Sequence, residues 1–152
     1  GQSSGIDPLV SYLNAPIVVH QDQIIKLDRE ILLKTKSFTI ELVDSGIPRN
    51  SKSQIQHFQK QMESEVNRSF FENELMPFNT LAIDAICKGD DAETILAWKK
   101  ISRQSLAFFT PMIPESVQKI WKSELQNETS YFKLCGAGGG GFFLRLIPNL
   151  RA

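Results

Sequence analysis

The sequence predicts an α+β fold, an antiparallel sheet with helices packed on it. Three observations carry this expectation. Strand-like apolar runs gather near both ends of the 152 residues, the middle of the chain switches to helical spacing, and strands do not alternate with helices as a doubly wound sheet requires.

Taken in order, Asp7-Pro8 is a helix start, since the Asp side chain can accept from orphan N–H groups and Pro at the first helical position loses nothing. A short helix follows to about Leu13. PIVVH (16–20) and QIIKL (23–27) predict a hairpin across Gln21-Asp22, a turn without glycine. FTIELV (38–43) is a third strand, ended by the breaker cluster DSGIPRN, and the three runs together point to an antiparallel sheet. From Ser51 the period changes. Ile55, Phe58, Met62 and Val66 recur at helical spacing, which predicts a long helix toward Glu74, interrupted by Pro77. A second helix spans about Phe78–Lys88 and closes at Gly89. Asp90 with Glu93 reads as a capping box for a third, carrying Ile95, Trp98, Ile101 and Leu106. Pro111 and Pro114 break the chain, Ser116–Leu125 is a fourth helix, and QNETS links it to the strands YFKLC and FFLRLI. No internal repeat is visible.

Composition narrows the function. Lys plus Arg and Asp plus Glu both total 17, so no net field draws the surface toward nucleic acid or an acidic membrane. Cys87 and Cys135 lie far apart, in no CxxC or Cys/His cluster, and His20 and His57 are the only histidines. A zinc site or disulfide framework is therefore not indicated. No apolar run approaches the roughly 20 residues that span a bilayer, and no signal peptide opens the chain. A cytoplasmic protein is expected. The start at Gly1, with no Met, reads as the middle of a longer protein.

GAGGGG (136–141) places five of nine glycines in six positions between two strands. Glycine is retained where φ must be positive or a backbone must come close, and consecutive free N–H groups can form an anion nest. A flexible hairpin loop is the plainer alternative. Neither a Walker A loop nor the dinucleotide fingerprint fits the spacing. KLCGAGGGGFFL (133–144) resembles the third signature of the galactokinase/homoserine kinase/mevalonate kinase superfamily, in which a Lys precedes a Gly-Ala-Gly-rich loop and an apolar strand. Cys135 stands where that family often has Thr, and reads as a small, mostly buried side chain rather than a nucleophile.

Two further segments resemble the same superfamily. GQSSGIDP (1–8) looks like the segment ending in the catalytic aspartate, which implies Asp7 as the carboxylate that orients the attacking alcohol, with Ser4 and Gly5 beside it. Alone, Asp7 would read as a helix cap. DSGIPRNS (44–51) looks like a stretch of mevalonate kinases in which a Pro-Arg pair precedes a hydroxyl. Arg49 would then face a carboxylate or phosphate, and Ser51 would stand where Thr is often found. Alone, these would read as a surface charge and an N-cap.

The resemblance implies the C-terminal part of a mevalonate kinase: residues 1–36 as the end of the N-terminal kinase domain and 37–152 as the ferredoxin-like C-terminal domain. It implies transfer of the ATP γ-phosphoryl group to mevalonate, with Mg2+, and a site drawing on Lys133, Gly136, Ala137, Gly138, Gly139 and Gly140. The phosphate loop, magnesium ligands and catalytic Lys of the family are not among these residues, so the fragment alone is expected to be inactive. Expected partners are the alcohol substrate, ATP and the missing N-terminal domain, with a homodimer left open. Another kinase of the superfamily, acting on phosphomevalonate, a sugar or homoserine, and a non-enzymatic binding or dimerisation module are the alternatives. The helical region 76–126 carries no motif tied to substrate.

Overall fold

The computed structural model describes residues 6–20, 23–28, 30–31, 37–48 and 51–149, with the side chains of Asp7, His20 and Ser51 outside that description. It is a mixed α+β structure with antiparallel sheets and packed helices, as the sequence leads one to expect.

Helix α1 spans Ile6–Leu13 and is followed by strands β1 (Ile17–His20) and β2 (Gln23–Lys26). The register His20↔Gln23 makes Gln21-Asp22 the connection, and those two residues lie outside the described set. The first three strand runs do not share one sheet. β1 and β2 pair with each other, whereas β3 (Phe38–Asp44) joins the two C-terminal strands, β4 (Tyr131–Leu134) and β5 (Phe142–Pro148), in the order β3-β5-β4. Patterning reveals which segments are strands but not their partners, because pairing is set by which apolar faces meet.

Both faces of the three-stranded sheet are used. Phe38, Leu146 and Tyr131 share one face by register and pack with Trp98 of helix α5 (Asp91–Phe108). Phe132 and Phe143 point to the other, where Trp121 of helix α6 (Glu115–Gln126) stacks on Phe132 with ring centroids 5.6 Å apart. The strand period of two thus sends alternate aromatics into two separate clusters. Ser102 of α5 closes the β4 edge: its Oγ accepts from the Phe132 amide at 3.0 Å and from Trp121 Nε1 at 2.7 Å. On the α6 side, Arg145 donates to Glu41 at 2.6 Å and Glu124 at 3.2 Å, while its guanidinium lies 5.8 Å from the Phe132 ring centroid.

The helical middle departs from expectation in two places. The first helix, α2, ends at Gln61 (Ser51–Gln61), and α3 restarts at Glu65 (Glu65–Phe70). Pro77 does not interrupt the chain. α3 runs through a π turn, Phe71–Leu75, into α4 (Met76–Lys88), with Pro77 in the first turn of α4. In the π turn the Met76 amide donates back to the Phe71 carbonyl, five residues away. This wider bonding moves the ladder's register just where proline has no N–H to give, so the helix continues. Gly89 closes α4 at φ 71°, and Asp90 caps α5 by accepting from the Glu93 amide at 2.9 Å, as the sequence suggests.

A candidate site at the glycine loop

The antiparallel register Asp44↔Phe142 brings the end of β3 to the start of β5. The turn after β3 and the glycine loop before β5 are therefore neighbours, although nearly a hundred residues separate them in sequence. The turn is shaped by its own side chains: Asp44 accepts from the Gly46 amide at 2.9 Å, and Ser45 Oγ accepts from the Ile47 amide at 3.3 Å. Its backbone then grips the glycine loop. The Ser45 amide donates to the Gly141 carbonyl at 2.9 Å, and the Gly141 amide donates to the Ile47 carbonyl at 2.8 Å.

Two glycines in the loop are required by geometry. Gly140 sits at φ 140°, and a Cβ there would meet the Ile47 carbonyl oxygen at 2.5 Å. Gly138, at φ 75°, would place a Cβ 2.7 Å from the Met112 carbonyl oxygen. The loop is thus pressed between the β3 turn and the 3-10 turn Thr110–Met112. That second wall is itself pinned, since Gln118 Nε2 donates to the carbonyls of Thr110 at 3.0 Å and Ile113 at 2.8 Å. The Gly139 amide donates to the Met112 carbonyl at 2.6 Å. Close approach accounts for these glycines, and a flexible hairpin loop does not. It also narrows the nest reading, because the Gly139 and Gly141 amides are already given to protein carbonyls.

The other residues named from sequence divide sharply. Ala137 is half-buried and Gly136 exposed in the same loop, and Cys135, at its mouth, is half-buried rather than mostly buried. Gln54, one turn into α2, reaches Gly139, so the start of α2 stands beside the loop. Ser51 is the first residue of that helix and is described by its backbone only. Asp7 lies in the first turn of α1, again by backbone only. Ser4, Gly5 and Arg49 lie outside the described residues, the last directly after the Ile47-Pro48 contact with Gly140.

Lys133, on β4, lines a cavity of about 340 Å3 that opens beside Gly136. Burial pushes its ammonium pKa down, and the nearby Cys135 partly offsets that shift. The cavity is walled by Phe71 and Leu75 of the π turn, by Ile101 and Ser105 of α5, and by Phe109 and Met112. These wall residues come from 71–112, most of it helical sequence that carries no recognisable motif. The one local signal was Pro77 inside a helical pattern, which marks a place where the helix must deform. Among the described residues no group of three or more His, Cys, Asp or Glu could hold a metal, and no helix is long and apolar enough to cross a membrane.

No family model matches the chain, no curated protein matches it significantly, and no solved structure does so either.

Proposed function

We propose that this chain is the C-terminal part of an ATP-dependent kinase of the galactokinase/homoserine kinase/mevalonate kinase superfamily, acting on the primary alcohol of mevalonate. The observation that carries the reading is the contact between two motif segments: Ile47-Pro48, immediately before Arg49, lies against Gly140 of the glycine loop. Two stretches that resemble segments of the same superfamily thus lie in contact. The separate β1-β2 hairpin supports a division near residue 36, with the β3-β5-β4 sheet belonging to the ferredoxin-like C-terminal domain.

In this reading Asp7 orients the attacking hydroxyl and can receive its proton, while Arg49 holds the acceptor's carboxylate or the transferring phosphoryl group. The residues that hold ATP and Mg2+ belong to the N-terminal half, which supplies the electrostatic stabilisation of the transferring group. That half would pack near the exposed Gly136 end of the glycine loop.

The test is an ADP-release assay on the full-length protein and on this chain, with Mg-ATP and either mevalonate, phosphomevalonate, galactose or homoserine. Turnover on mevalonate by the full-length protein alone is expected. Turnover on another acceptor only would move the assignment within the superfamily, and turnover on none would remove it. Asp7→Asn in the full-length protein is expected to lower kcat by about a hundredfold or more while leaving nucleotide affinity nearly unchanged. An equal loss of ATP binding would contradict the role given to Asp7.

A further inference from the structure

We infer that the cavity lined by Lys133 and Gly136 is a binding site for a small amphipathic acid, whose carboxylate meets Lys133 and whose apolar body lies against the π turn. Lys133 is the one charged side chain of the described cavity lining, and it has neither an ion pair nor a hydrogen bond to any described residue. A lysine on a sheet normally snorkels to water or pairs with a carboxylate. This one is half-buried instead, beside Phe71, Leu75, Met76, Phe109 and Met112. Such an arrangement disfavours an empty, charged state and favours an anion with an apolar body.

Size and shape agree. A volume of about 340 Å3 is at the low end of the ~300–1,000 Å3 typical of small-molecule sites. At about 30 Å3 for each heavy atom of a liquid, it holds roughly ten non-hydrogen atoms. A six-carbon acid fits. The helical part of the lining is also unusual, since π turns occur frequently at functional sites. Here the turn contributes both Phe71 and the buried Leu75 to the lining. Asn79 and Ser105 add two neutral polar residues to the lining.

The inference stands on the cavity and needs no nucleotide, so it survives or fails apart from the kinase reading. The test is a titration of the 15N-labelled 152-residue chain with hexanoate, hexanol, hexylammonium and acetate, followed by amide chemical shifts. Hexanoate is expected to give saturable shifts in 71–76, 105–112 and 133–136, with affinity at least about tenfold above hexanol and acetate, as a charge-assisted hydrogen bond implies. Lys133→Met removes that preference and Lys133→Arg retains it. If Lys133→Met fails to fold, the wild-type ligand series still decides. Equal binding of hexanol and hexanoate, saturation elsewhere on the chain, or no saturation in the millimolar range would overturn the inference. A mevalonate arm identifies the acid's source: tighter binding than hexanoate marks the phosphoryl acceptor, and weaker binding marks a separate acid ligand.

Discussion

Gly140→Ala tests whether close backbone approach, rather than flexibility, explains the glycine loop. At φ 140° a side chain enters a region that is essentially glycine's own, a strain of about 1–3 kcal/mol. The new Cβ would also lie 2.5 Å from the Ile47 carbonyl oxygen, and that atom is backbone, tied by the Gly141 amide. Relieving such an overlap adds about 1–3 kcal/mol, so a total of about 4 kcal/mol is expected. For a chain of this size that corresponds to a fall in Tm of roughly 8–16 °C. The comparison is Gly89→Ala, where φ is 71° but nothing lies within 4 Å of the new Cβ. Only the left-handed backbone penalty of about 1–2 kcal/mol applies there. Urea unfolding followed by the fluorescence of Trp98 and Trp121, both buried, measures the two variants side by side. Equal losses would refute the close-approach argument and restore the flexible-loop reading.

Other substitutions probe the scaffold of the site. Ser102→Ala strands the buried Phe132 amide and Trp121 Nε1 and is expected to cost about 2–4 kcal/mol in the same unfolding assay. A loss below about 1 kcal/mol would mean that both donors find other partners. Asp90→Ala removes the α5 cap and is expected to lower stability by about 1 kcal/mol, seen as a matching shift in the urea midpoint. Lys133 offers a pH test. Its folded pKa lies below the unfolded value, so between the two the unfolded chain binds more protons and stability rises with pH. Tyr131, whose pKa burial raises, acts in the opposite sense above about pH 10. The stability advantage of Lys133→Met over wild type is therefore expected to be fully present below the lowered pKa and to shrink as pH rises through it. A constant difference up to pH ~10 would show that Lys133 is not desolvated in the folded chain.

The sequence by itself determined the elements. β3, β4 and β5 lie where their apolar runs are, Asp90 and Gly89 mark helix ends by local chemistry, and Ser45 and Gly46 make a turn, because each signal depends on a few neighbouring residues. Pro77 misled, since a proline's missing N–H breaks a helix only if the ladder cannot shift, and the π turn Phe71–Leu75 shifts it. Only the tertiary structure decided that β3 pairs with β5 rather than with the hairpin. That pairing follows from two aromatic clusters on opposite sheet faces, a condition no single segment carries. The same register sets Gly140 against Ile47 and so joins two segments that the sequence could only name separately. Lys133 was visible as part of a motif, but its isolation was not: desolvation is a property of what surrounds a charge, and here the surroundings come from the π turn, α5 and the Met112 turn.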